Sequence, residues 1–183
     1  MKQNRQWKIE TLAVHAGHSV DAATGAVSMP IHLSTTFEHG PAGERPHGWM
    51  YIREGNPTQA RLEEALAAVE GGQCALVFGS GLAAGAAYLQ AMPAGTHVLF
   101  PDDCYYGFRK IAEEFLPRWG MQATAVDMTN LSRVAAALRP ETKLLWAETP
   151  STPLMRISDL AGRAGIARKA GASLLVDGTF ASP

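Results

Sequence analysis

Between His97 and Asp177 the chain switches repeatedly between two hydrophobic periods, and that alternation leaves few folds open. Short apolar runs at 97–100, 122–126, 143–148 and 173–176 read as strands. The stretches between them read as helices over 104–119, 130–138 and 158–169, with Asn130 and Ser158 as caps for the second and third. A fifth apolar run, Ala75 to Phe78, comes first and breaks at Gly79-Ser80-Gly81 into a helix over 80–91 that ends before Pro93. Strands that alternate with helices are joined by crossovers, which gives a mainly parallel sheet covered by helices on both faces. The expected fold is α/β, a three-layer α/β/α domain whose ligands bind beyond the carboxyl ends of the strands. The residues with most chemistry to offer fall at those ends: 79–82, 102–105, 148–152 and 177–179.

The turn at 79–82 is an anion seat by construction. The first amides of a helix lack internal partners and carry the positive end of its dipole, and glycines let a phosphate approach the backbone closely. Ser80 adds a hydroxyl. A strand-to-helix bend with no ligand has the same sequence, so the other strand ends must decide. Asp177 follows the apolar run Leu174-Leu175-Val176, and a half-buried carboxylate needs a cationic or hydrogen-bonding partner. Its partner is either the amides of the next turn or a protonated heterocyclic nitrogen, the arrangement that keeps pyridoxal 5'-phosphate (PLP) an electron sink. Tyr105 opens a helix after another strand end, where its ring either stacks on a planar cofactor or joins the core. A phosphate seat, an aromatic plate and a ring-nitrogen carboxylate describe a single ligand, PLP.

Residues 1–50 form an arm, rich in Gly, Pro, His, Ser and Thr and without sustained periodicity apart from a short helix near Ile9 to His15. A segment of this kind serves as a functional loop or packs on another subunit. Its histidines (His15, His18, His32, His39 and His47) complete no recognisable ligand set, so no metal site is expected. Asn56-Pro57-Thr58 then leads into a helix striped by Leu62, Leu66 and Val69. Just before it, Tyr51 and Arg53 lie two residues apart in an extended segment and point the same way, as two phosphate donors or as part of an ordinary surface loop.

With a net charge of −1 and no basic cluster, the chain has no electrostatic footprint for nucleic acid or an acidic membrane, and small molecules are the expected partners. Cys74 and Cys104 have neither disulfide-framework nor zinc spacing. No apolar run reaches membrane-spanning length and no signal-peptide core opens the chain, so the expected location is the cytoplasm.

The motifs resemble the Cys/Met-metabolism group of PLP-dependent enzymes, which includes cystathionine γ-synthase, the cystathionine lyases, O-acylhomoserine sulfhydrylases and methionine γ-lyase. The resemblance runs through 11–17, 51–58, 80–84, 102–105, 148–153 and 176–183. It implies the large domain of a fold type I, aspartate aminotransferase-like enzyme that eliminates or replaces a β or γ leaving group of a sulfur amino acid. It implies a homotetramer in which the 1–50 arm is intersubunit and Tyr51 and Arg53 reach a neighbouring subunit's cofactor phosphate. It also implies that Ser80, Gly81 and Leu82 bind the same phosphate, Tyr105 stacks on the ring, Asp177 holds the ring nitrogen and Thr179 lies beside the cofactor. Tyr105 or Tyr51 then serves as acid or base.

Several positions depart from the group's pattern. Thr152 stands where an Asn is usual, Gly178 follows Asp177 where Asn is usual, Tyr106 replaces the first Gly of Tyr-Gly-Gly, and Leu82 replaces Met. Gly107 stands where methionine γ-lyases have Cys, and Arg109 or Lys110 is a candidate for a substrate's distal carboxylate. The Schiff-base lysine of the group lies beyond Pro183, and Lys2, Lys8, Lys110, Lys143 and Lys169 match no such motif. The expectation is therefore the front part, 51–183, of a PLP-binding large domain. Two alternatives stand beside it: a truncated, non-catalytic chain that keeps binding or assembly surfaces, and a dinucleotide-binding domain. For the latter, Gly79 to Ala84 fits G-x-G-x-x-A and Asp102 is the ribose ligand.

Overall fold

A computed structural model describes residues 7–182, so Lys2, the rest of the first six residues of the arm and Pro183 lie outside the described residues. The chain divides into two compact units, one running to Val77 and the other from Phe78 to Ser182.

In the first unit, α1 (Ile9–His15) packs on α2 (Pro57–Val69). The close approach needs Gly17, because a Cβ there would sit 2.5 Å from the Arg61 carbonyl and its φ of +70° is one that side chains rarely adopt. Asn56 caps α2 by accepting from the Gln59 amide, and Pro57 occupies the first turn, where its missing N–H costs nothing. The apolar stripe of α2 is not covered: Leu62 and Leu66 are 48% and 42% exposed, and neither helix has a buried residue.

The second unit is built on a parallel sheet of order β2-β1-β3-β4, with β1 at His97–Pro101, β2 at Gln122–Val126, β3 at Thr142–Glu148 and β4 at Ser173–Asp177. Every position of β1 is buried, and so is every position of β3 except Lys143, as central strands covered on both faces require. On one face Val98, Phe100, Leu144 and Trp146 pack with Leu89 of α3 (Gly81–Gln90) and Phe108 of α4 (Tyr106–Lys110). On the other, Leu99, Val126 and Leu145 pack with Val134 of α5 (Leu131–Ala136) and Ala167 of α6 (Leu160–Ala170). The three-layer α/β/α reading therefore holds.

Three local expectations do not. The run Ala75 to Phe78 is not a strand: it joins no ladder among the described residues, Leu76 is exposed, and the Val77 amide donates to Glu63 Oε1. Strand identity comes from pairing, which apolar residues permit but do not supply. The helix expected over 104–119 is shorter and compound: α4 passes into a π-turn, Ile111–Phe115, and then a 3₁₀ turn, Pro117–Trp119, which Gly120 closes with φ +73°. Asp159, not Ser158, caps α6, by accepting from the Gly162 amide. The Ser158 amide is held by Thr149 Oγ1, which keeps that residue in the loop.

At the amino ends of the strands His97 is fully buried, with Nδ1 2.8 Å from Thr142 Oγ1 and Nε2 2.8 Å from Thr124 Oγ1. A neutral imidazole satisfies both hydroxyls with one donor and one acceptor. Burial, helped by the charge of Arg139, pushes its pKa below the ordinary 6.5. The unfolded chain therefore takes up this proton first, so the stabilisation is complete above the unfolded pKa and is lost as pH falls through the folded one. Melting temperature should drop between pH 7 and pH 5, and His97→Gln should flatten that drop; an unchanged slope would remove His97 as its cause.

Candidate active site at the carboxyl ends of the strands

Helix α3 begins where the turn 79–81 ends. Ser80 caps it, with Oγ accepting from the Ala83 amide at 3.1 Å, and its hydroxyl hydrogen stays free to donate outward. Gly81 and Leu82 occupy the first helical positions and are exposed, so their amides face away from any intrahelical acceptor. A Cβ at Gly79 or Gly81 would meet nothing within 4 Å, which leaves the approach to those amides open.

Tyr105 lies at the amino end of α4 and is 49% exposed. The ring meets Phe108 edge-on at 6.0 Å between centroids, and Phe108 in turn packs at 4.4 Å on Trp146, so a core aromatic stack supports an exposed plate. Gly107 lies between this ring and Leu82: a Cβ there would be 2.7 Å from Tyr105 Cε1 and 3.0 Å from Leu82 Cδ1. The phosphate-type turn and the aromatic plate are therefore neighbours.

Asp177 ends β4 in direct register with Glu148 of β3. Its Oδ1 accepts from the Thr179 amide at 3.0 Å and from Thr179 Oγ1 at 2.6 Å. Those two bonds fix the carboxylate and leave Oδ2 for another donor. The turn-closing reading of this Asp is therefore realised, through Oδ1 alone.

Sequence reasoning gave no role to Glu148, which is only 3% exposed and accepts the Tyr105 amide on Oε2 at 2.7 Å. It is the register partner of Asp177, so it connects the two candidate ligands. A glutamate that ends an otherwise apolar strand was the available signal. Next to it, buried Asp103 accepts a short hydrogen bond from Ser151 Oγ, and Ser151 Oγ accepts from the Arg156 amide. Cys104 is buried beside these groups; burial, with the charge of Glu148, pushes its thiol up to about 11, so it stays protonated and unreactive.

Two expected participants are engaged elsewhere. Arg109 Nη2 donates to the Asp102 carbonyl at 2.9 Å, and Lys110 lies 4.0 Å from Glu114. In the other unit, residues 51–54 form a turn closed by the Glu54 amide on the Tyr51 carbonyl rather than the expected extended segment, and within it the Arg53 guanidinium lies over the Tyr51 ring at 4.3 Å. The dinucleotide alternative loses its structural context, because among the described residues no strand precedes the glycine turn and Asp102 is drawn to Arg156 at 3.4 Å.

Residues 10–183 match the family of Cys/Met metabolism PLP-dependent enzymes. The chain belongs to this family. It is 46% identical over 174 residues to a cystathionine gamma-synthase of Mycobacterium bovis, covering 94% of this chain and 45% of that protein. It is 40% identical over 176 residues to a cystathionine gamma-lyase of Bacillus subtilis, covering 96% of this chain and 46% of that one. The crystal structure of metB from Corynebacterium glutamicum superposes with a TM-score of 0.93 at 36% identity, over 97% of this chain and 46% of that chain. The chain thus spans just under half the length of the relatives it matches. Among the described residues no helix is long and apolar enough to cross a membrane.

Proposed function

We propose that this chain forms the front part of the cofactor site of a PLP-dependent transsulfuration enzyme, acting on cystathionine or an O-acylhomoserine by β/γ-elimination or γ-replacement. The observation that carries the reading is the convergence, within one unit, of the α3 amino terminus, the Tyr105 plate and the half-free Asp177 carboxylate around Gly107 and Glu148. Family membership supplies the class of chemistry.

The donor set fits PLP. The amides of Gly81 and Leu82, with the Ser80 hydroxyl, suit a phosphate dianion. The Tyr105 ring suits the face of a pyridine, and Asp177 Oδ2 suits a protonated ring nitrogen. When bound, PLP supplies an electron sink for the pair left at the substrate's Cα. The protein's part would be to hold that ring protonated through Asp177, fix its orientation by stacking Tyr105 on it, and move a proton with Tyr105 or Tyr51. Thr179 orients the carboxylate, and Thr152 offers a shorter side chain where the family's Asn reaches further.

The exposed apolar side chains of the arm, Val20, Val27, Ile31 and Leu33, support the proposal that 1–50 packs on other subunits of a homotetramer. Tyr51 and Arg53 then reach a neighbouring subunit's phosphate, and the location is cytoplasmic, where both cysteines remain free thiols. Titrating the purified full-length protein with PLP should give saturable fluorescence quenching and PLP-dependent turnover of cystathionine or O-acylhomoserine. Absence of saturable binding would overturn the reading; binding without turnover of either substrate would leave only the non-catalytic alternative.

A further inference from the structure

The turn that carries Tyr105 is tied to the end of β3 by more than the ladder of the sheet. Glu148 Oε2 accepts the Tyr105 amide, buried Asp103 is bonded to Ser151 Oγ, and at the surface Arg156 Nη1 lies 3.4 Å from Asp102 Oδ1. Ser151 also receives the Arg156 amide at 2.9 Å, which closes the loop bearing Thr152. The expensive member of this set is Glu148. A carboxylate with 3% exposure and a single protein donor among the described residues costs stability, and an uncharged side chain would fill the place more cheaply. Its position explains the cost, because it is the register partner of Asp177 and the acceptor of the Tyr105 amide.

Tyr105 needs such a hold. The residue is half exposed, it lies at the start of a helix of 5 residues, and on the core side its ring meets Phe108 edge-on. Fixing the amide fixes the direction in which Cβ leaves the backbone, and hence the plane available to the ring. We propose that Glu148 is a positioning residue that, through the Tyr105 amide, sets the Tyr105 ring relative to Asp177, with the Asp103–Ser151 bond locking the same turn to the Thr152 loop. This rests on the reading of Tyr105 as the ring that stacks on PLP.

Two measurements separate the two claims. Amide hydrogen exchange, read by NMR on the chain without ligand, should be slow at Tyr105. It should be faster in Glu148→Gln, which keeps a neutral acceptor, and faster again, about tenfold or more, in Glu148→Met, which keeps the volume and loses the acceptor. Amides inside β3 should not change. PLP affinity should fall about tenfold in Glu148→Met, and the same substitution in a Tyr105→Ala background should cost less than twofold, because its target is gone. Equal losses in both backgrounds would make Glu148 merely structural, and unchanged exchange at Tyr105 in Glu148→Gln would overturn the tie even if Glu148→Met fails to fold. If the unmodified protein binds no PLP, the cofactor reading fails while the exchange data still judge the clamp.

Discussion

Asp177→Ala is expected to weaken PLP binding about a hundredfold while leaving the melting temperature of the ligand-free protein within a few degrees. Removing one member of a buried charge pair costs about 3–5 kcal/mol, and Asp177 is only partly buried, so the lower part of that range applies. At about 1.4 kcal/mol per decade this is roughly two orders of magnitude in affinity. Asp177→Asn should lose nearly as much, since an amide keeps the shape but supplies no countercharge to a protonated ring nitrogen. Thr179→Val should lose only several-fold. It removes the 2.6 Å hydroxyl bond to Oδ1, worth about 1 kcal/mol, and leaves the backbone bond of the same turn. The graded order Ala, Asn, Val is the signature of a carboxylate aimed by its neighbour. If Asp177→Ala stays within threefold of the parent protein, Asp177 is a turn cap and nothing more.

Parts of the candidate site could be read from residues alone. Asp177 and Tyr105 were legible because each follows an apolar run that became a strand, and the fold sends such strand ends to one rim, while the Gly79 to Leu82 turn was legible only as a glycine break that opens a helix. Hydrophobic period also gave β1 to β4 to within one residue at either end, and Asn130 caps α5 as its position suggests. Glu148 was visible only as a rim residue, because its partner is a backbone amide 43 positions away and a donor of that kind leaves no mark in the sequence. The choice of Asp159 over Ser158 was hidden for the same reason: two good caps stand side by side, and Thr149 decides between them. At 75–78 the sequence shows the apolar residues of a strand, while strandhood depends on a neighbour's ladder. Gly85 was equally silent. It reads as a weak point in a helix, yet a Cβ there would stand 2.3 Å from Phe108 and 2.6 Å from Trp146, so the glycine is what lets α3 approach the aromatic stack beneath Tyr105.

Arg163→Met is expected to make the protein more stable. Arg163 lies on α6 one turn beyond its cap, Asp159, and one turn before the core residue Ala167. It is 0% exposed, and Nε, Nη1 and Nη2 find no hydrogen-bond partner among the described residues. Burial lowers its pKa, and the charges of Asp159 and Asp127 only partly oppose that shift. A guanidinium does not escape the cost by losing its proton, so the charge stays and its desolvation is uncompensated. Methionine keeps the length of the stem and its packing on the sheet while removing the charge and all the unpaired donors. Replacing buried ionic groups with apolar residues of similar volume gains up to about 1–4 kcal/mol. At roughly 2–4 °C per kcal/mol for a domain of this size, the melting temperature should rise by several degrees. Arg163→Lys should not show the gain, because it keeps a buried cation. A fall in melting temperature for Arg163→Met would mean that the guanidinium is paired in solution, and the natural partners to test next are Asp127 and Asp159, whose charges already act on it.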